Sequence, residues 1–494
     1  MRRWQELPPS LSCSRPSEGD GRVTSLCINF IPTIMTTLAQ PNLDSLKASV
    51  RGDIVLPDAS NYDEVRAIWN AMIDRRPSLI VRCTGVADVK ACLAVAREVD
   101  LQVSVRGAGH NIAGNAIADD RLLIDLSALR SVSVNPYSKT VTAGPGATLG
   151  DIDHETKEFG LAVPMGINST TGISGLALGG GIGWLTREHG MTSDNLLSVQ
   201  IVTATGEVLE ASQTENADLF WALRGGGGNF GIVTRWTFQA HPVSTVTAGL
   251  VVFPAEERKS VLQNYREYCV TLPTSSAVWV VLRQAPPLPF LPEDVHGKDV
   301  LVLAFCHNGD AAEGQKIVDT LVSFGNPVGV HAGEMPFAGW QQAFDPLLTP
   351  GARNYWKSHN FTELSDGFLD ATIEYASALP SPECEIFFGY IEGCCNSVAP
   401  EETAYSHRHT KWVVNMHGRW QDAGDDEFCI QWARDLFAAT KPFAAPGVYI
   451  NFLTGEETDR IKDGFGPNYG RLVEVKSKYD PDNVFNLNQN ITPV

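Results

Sequence analysis

Ser104-Val105-Arg106-Gly107-Ala108-Gly109-His110-Asn111-Ile112-Ala113-Gly114 follows an alternating run from Leu101 that predicts a strand. Glycines at 107, 109 and 114 let the loop turn sharply and bring amide N–H groups within contact distance of a diphosphate. A nicotinamide fingerprint would read GxGxxG at the opening of a helix, with an acidic residue about 20 positions on. Here the spacing is Gly107-x-Gly109-x-x-x-x-Gly114, and Asp125 fills the acidic place only superficially, so that reading is set aside.

Two more segments share this style. Gly166 to Gly183 is a long run of small residues that packs poorly as core, so its use is close approach of backbone to something planar or anionic. Gly225-Gly226-Gly227-Gly228-Asn229-Phe230-Gly231 leads into a strand, Ile232-Val233-Thr234-Arg235-Trp236. One large phosphate-bearing ligand explains three such segments more economically than three unrelated turns.

Around these loops, Leu79 to Asp125 predicts strand, helix, strand: Leu79-Ile80-Val81 is apolar and Val86 to Val99 repeats apolar residues at helical spacing. Strands are expected at Leu122 to Leu126, Ser131 to Val134 and Thr140 to Ala143, and a helix at Ala147 to Phe159. From about Val243 to Ala445 glycine thins out and aromatic strands appear, such as Ala277 to Leu282 and Trp412 to Met416. Pro286-Pro287-Leu288-Pro289 and Pro292 predict an exposed loop there. Val448-Tyr449-Ile450-Asn451-Phe452 reads as a strand and Tyr469 to Tyr479 as a helix.

A chain of 494 residues exceeds what one core usually supports, and 43 % hydrophobic with 19 % charged residues is ordinary for a globular enzyme. A formal charge of −19 argues against nucleic-acid binding and against a basic membrane patch. The ten cysteines form no disulfide framework and no CxxC pair, and His407, His409 and His417 lack a completing ligand set, so no metal is expected. Residues 1–40 read as a disordered extension, with Met35 as an alternative start. Without a convincing export signal or disulfide pattern, the cytoplasm is favoured over secretion. Oligomeric state is not encoded in any pattern found.

The three glycine segments, together with Tyr449-Ile450-Asn451 and the ending Tyr479-Asp480-Pro481-Asp482-Asn483-Val484-Phe485-Asn486-Leu487-Asn488-Gln489-Asn490-Ile491, resemble the berberine bridge enzyme-like branch of the vanillyl-alcohol oxidase (PCMH-type) flavoproteins. That branch includes 6-hydroxy-D-nicotine oxidase and oligosaccharide oxidases. The resemblance implies an α+β fold: a two-part FAD-binding domain at 41–245 and 446–494, with an inserted α+β substrate domain at 246–445 whose antiparallel sheet is covered by helices.

It also implies FAD tethered covalently through His110, since a neutral imidazole nitrogen can add to the flavin's 8α carbon. Many relatives carry a second, cysteinyl link, but Asn168 stands at that place and no such bond is expected. FAD contacts are expected from Arg106, Gly107, Ala108, Gly109, His110, Asn111 and Gly114, and from Asn168, Thr171, Gly172, Gly175, Gly179, Gly180 and Gly183. Asn195, then Gly228, Asn229, Gly231, Ile232 and Val233, and finally Tyr449, Asn451 and Asn488 complete the set.

The catalytic candidates are Tyr449, Asn415 and His417. Asn415 occupies the place of a glutamate base in berberine bridge enzyme itself and cannot serve as one. The Tyr449 phenol could accept a substrate proton if its pKa were lowered. The expected activity is an oxidase: hydride passes from a small alcohol, hemiacetal, amine or polycyclic natural product to FAD, and dioxygen reoxidises it with release of hydrogen peroxide. A dehydrogenase using another acceptor, and a flavin-binding protein with little turnover, are the alternatives.

Overall fold

The computed structural model describes residues 39–494, so the expectations for the extension, for Met35 and for Cys13 and Cys27 lie outside the described residues. The first sheet is built from β1 (Asp53–Val55), β2 (Leu79–Arg82), β3 (Val103–Arg106) and β4 (Leu122–Asp125), in the order β1-β2-β4-β3 with β2, β4 and β3 parallel. Between β2 and β3 the helix Val86–Glu98 buries Val89, Cys92, Leu93 and Ala96, the one-sided stripe its sequence spacing predicts. β3 delivers the first glycine loop. Its last residue, Arg106, pairs in register with Asp125 and grips that buried carboxylate through Nε at 3.1 Å and Nη2 at 2.7 Å.

β5 (Val132–Asn135), β6 (Thr140–Ala143), β8 (Leu196–Val202), β9 (Val208–Ser212) and β10 (Ile232–Gln239) form a second sheet in the order β5-β6-β10-β8-β9, while β7 (Leu161–Ala162) pairs with β11 (His241–Pro242). The other two glycine segments pack at this sheet. Helix Tyr469–Tyr479 returns to the same core, bringing Leu472, Val475 and Tyr479 against Leu219, Phe220 and Leu223.

β12 (Thr245–Pro254), β13 (Ser276–Gln284), β14 (Asp299–His307), β15 (Gly329–Pro336), β16 (Arg353–Phe361), β17 (Glu385–Tyr390) and β18 (Trp412–Trp420) make one antiparallel sheet, ordered β15-β12-β14-β13-β17-β18-β16. Side chains alternate across it. One face, with Val278, Val280, Leu303, Phe305, Phe388 and Val414, packs under helices such as Arg258–Cys269 and Asp426–Thr440. The other face looks toward the glycine segments.

Two local expectations are corrected. Val448 to Phe452 is a tight 3-10 turn at Ile450–Phe452, closed by the Phe452 N–H donating to the Tyr449 carbonyl at 2.9 Å. Its apolar pattern reflects burial between two cores rather than a sheet face: Ile450 packs with the second sheet and Tyr449 with the large one. The proline loop after β13 is not simply exposed, because Leu291 and Val295 are buried against Val252, Val300 and Val302. Apolar residues between the prolines pull it down onto the sheet.

Eight described cysteines are unbonded, and all but Cys394 are buried. Among the described residues no helix is long and apolar enough to cross a membrane, and no cluster could hold a metal ion. The Lys476–Asp480 pair, at 2.6 Å, is wholly buried, and Lys476 Nζ also donates to the carbonyls of Asn229 and Phe485. It ties the C-terminal signature to the third glycine segment. Asp480→Ala should therefore destabilise the protein by about 3–5 kcal/mol, read as a lowered denaturant midpoint, because it leaves an ammonium buried without its counter-ion.

Candidate active site

Between the glycine segments and the open face of the large sheet lies one continuous cavity. Strand register lays out its floor. Trp356 on β16 pairs with His417 on β18, His417 with Glu385 on β17, and Glu385 with Arg283 on β13, so four residues from four strands form one row. Arg283 Nη1 donates to Glu385 Oε2 at 2.8 Å, and Glu385 Oε1 lies 3.0 Å from His417 Nδ1. On its other side His417 Nε2 is 3.3 Å from Asn354 Oδ1.

The charge states follow from this packing. Burial pushes the Glu385 carboxyl up, but Arg283 and then His417 outweigh it and hold it below the usual carboxylate range. For His417 burial outweighs Glu385 and keeps the imidazole's pKa below its ordinary value. The resting pair is a carboxylate and a neutral imidazole, with Nδ1 toward Glu385 and Nε2 toward Asn354. Adding a proton gives an imidazolium flanked by two acceptor oxygens.

His110 sits in the cavity wall, stacked on Trp69 with ring centroids 4.3 Å apart. Trp69 meets Trp356 edge-on, and Trp356 meets His417 in the same way at 4.6 Å. Desolvation lowers the His110 pKa to about 4, so its ring is neutral and carries a free nitrogen lone pair. Asn168 Nδ2 lies 3.5 Å from His110 Nε2, while Asn168 Oδ1 accepts from the Thr170 N–H and hydroxyl.

Tyr449 departs from expectation. Its hydroxyl oxygen accepts from Gly181 N at 3.0 Å and Asn451 Nδ2 at 2.9 Å, yet burial wins and its pKa is pushed up to about 12 rather than down. A phenol that resists ionisation is a poor base. Asn415 is fully buried beside Phe387 and Ser358, with neither amide atom partnered, and is not on the cavity wall.

The cavity wall gathers Gly107, Ala108, Gly109, His110 and Asn111 with Asn168, Thr171, Gly172, Gly175 and Gly179. Gly228, Gly231, Ile232, Val233, His417, Tyr449, Asn451 and Asn488 complete the anticipated residues found there. Arg106, Gly114, Gly180, Gly183, Asn195 and Asn229 stand behind it. Arg106 holds Asp125; Asn195 donates to the carbonyls of His189 and Met191; Asn229 donates to Gly226 and Gln489. A Cβ on Gly114 would meet Ile73, one on Gly180 would meet Met191, and one on Gly183 would lie 1.9 Å from the Met165 carbonyl oxygen. These residues shape the wall that others present.

Gly175 behaves differently. A Cβ added there meets nothing within 4 Å, so the protein's own packing does not demand glycine and the spare room faces the cavity. A cradle of this kind fits a large ligand laid against backbone, as FAD would be. Gly175→Ala, inside the short helix Ile173–Leu178, should leave the apoprotein as stable or up to about 1 kcal/mol more stable, yet lower its flavin-to-protein absorbance ratio. Gly183→Ala should instead lower the melting temperature.

Sequence patterns had not singled out Trp69, Trp184, Trp279, Arg283, Trp356 or Glu385, all of which line the cavity. The available signal was a charged residue at the alternating position of an apolar strand, as in Glu385-Ile386-Phe387-Phe388.

An FAD binding domain profile matches residues 77–212, and a berberine and berberine-like profile matches residues 448–492. An FAD-linked oxidoreductase of Dictyostelium discoideum is 30 % identical over 449 residues, covering 90 % of this chain and 96 % of the relative. The chain belongs to the berberine bridge enzyme-like FAD-linked oxidoreductases. A (R)-6-hydroxynicotine oxidase of Paenarthrobacter nicotinovorans is also 30 % identical, over 467 residues, with 90 % and 97 % covered. The crystal structure of 6-hydroxy-D-nicotine oxidase from Arthrobacter nicotinovorans superposes with a TM-score of 0.79 at 27 % identity, over 90 % of this chain and 99 % of that one. In this FAD-linked oxidoreductase the glycine segments form one side of the cavity, and the strand row forms its opposite side.

Proposed function

We propose that this oxidoreductase is an oxidase with mono-covalent FAD, acting on the C–H bond of a small-molecule alcohol or amine. The observation that carries the reading is the placement of a neutral His110 and the Arg283–Glu385–His417 row on one cavity. FAD supplies the two-electron acceptor when bound. His110 would hold it through an imidazole nitrogen, whose lone pair burial keeps unprotonated. With Asn168 in place of a cysteine there is one tether.

Removing a hydride from a carbinol or amine carbon leaves a proton on oxygen or nitrogen. The Glu385–His417 pair takes that proton: burial keeps His417 neutral beforehand, and the carboxylate stabilises the charge it acquires. Tyr449, protonated and fixed by Asn451 and Gly181, orients rather than ionises. Dioxygen would be the final electron acceptor, with hydrogen peroxide as the product of its two-electron reduction.

The test is denaturing precipitation of the purified protein, followed by anaerobic mixing of the native enzyme with alcohols and amines. A yellow pellet, bleaching of the flavin by at least one donor, and peroxide release on admitting air are expected. Bleaching without reoxidation in air would remove the oxidase assignment, and a colourless protein would remove the whole reading.

A further inference from the structure

The cavity does not end at the row of charged residues. Beyond Arg283 it continues over β13, β14 and β12, where the cavity-facing positions are Val281, Val302, Ala304, Leu250 and Val252. The proline loop forms the roof. Its ends are clamped by Ala285 N donating to Lys298 O at 2.8 Å and Gly297 N donating to Ala285 O at 2.9 Å. Between them Leu288 and Leu291 point down into the same space.

None of the five floor residues or the two roof leucines offers a side-chain hydrogen bond; Trp279, beside Ala304 on the same wall, carries one indole N–H without a partner. The nearest ionisable side chains on the wall, Arg283 and Glu385, are already bound to each other. From Ala304 to Val300 the floor runs about 13 Å, and three strands make it roughly 10 Å across. A hydroxyl-rich guest would lose its water there and recover few hydrogen bonds. An aliphatic or prenyl chain would lose nothing and gain about fourfold in affinity for each methylene buried.

We infer that the substrate is amphipathic: a compact oxidisable head near His110 and His417, joined to an unbranched alkyl or prenyl tail that lies in the apolar arm between β12–β14–β13 and the 285–298 loop. The inference rests on reading this cavity as the oxidation site.

The probes are 4-alkylbenzamides with methyl, butyl and octyl tails, which are not themselves oxidised, titrated into the flavin-loaded enzyme. The flavin difference spectrum reports the head group, and tryptophan fluorescence, with Trp279 in the wall, reports filling of the arm. By both signals, Kd should fall about fourfold per methylene until the arm is full. Val302→Phe on the floor and Leu288→Ser in the roof should each flatten that dependence, and an unchanged visible spectrum shows that each variant is folded. A Kd independent of tail length, or an unaltered dependence in both variants, overturns the arm. Tail-dependent quenching without any flavin perturbation would instead overturn the oxidation-site reading and spare the apolar arm as a binding site.

Discussion

His110→Ala should release the flavin: the denatured wild-type protein should stay yellow, while the variant's pellet should be colourless and its intact mass should lack the FAD increment entirely. His110 is a cavity-wall imidazole whose pKa burial lowers to about 4, so at neutral pH it is uncharged and keeps a nitrogen lone pair. The variant should still fold and bind FAD noncovalently, because the glycine cradle and the amides around it do not depend on the side chain. Losing the imidazole also removes the stacking partner of Trp69 and lowers the potential of the bound flavin, so anaerobic reduction should slow by an order of magnitude or more. Flavin still bound after denaturation would show that another residue carries the tether.

Glu385→Gln should cut the rate of anaerobic flavin reduction by about 10²- to 10⁴-fold, with little change in substrate affinity. The amide preserves volume but cannot stabilise His417 once protonated. The pH profile separates this from mere misplacement. In the wild type, His417 has a lowered pKa, so the acid limb should lie below the ordinary histidine value of about 6.5, activity being lost as falling pH charges the imidazole. Glu385 is the group that raises the His417 pKa against burial; without it the acid limb should move to still lower pH while the plateau falls. His417→Asn should abolish the limb. A plateau within twofold of wild type would exclude the pair as proton acceptor.

Much of this could be read from the chain as a string. The helix Val86–Glu98 and the helix Tyr469–Tyr479 announce themselves by spacing, because a helix turn is set by neighbours three and four residues away. The glycine segments were legible for a similar reason: glycine's backbone freedom is intrinsic to the residue, as at Gly109 and Gly227, both with positive φ. Val448 to Phe452 was misread because its alternation comes from two cores meeting at one turn, which a single-face pattern cannot describe. Among the glycines, sequence could not tell Gly175, open to the cavity, from Gly183, pressed on the Met165 carbonyl.

The sequence by itself determined most strand and helix segments and the glycine-rich loops, since each depends on residues close together in the chain, and His110 became the candidate tether through the resemblance that those loops carry. Only the tertiary structure decided that Trp356, Glu385 and Arg283 join His417, and that the Tyr449 phenol is raised rather than lowered. Register between distant strands chooses which side chains meet, and burial sets their charge; both are properties of the folded assembly of elements rather than of any one segment.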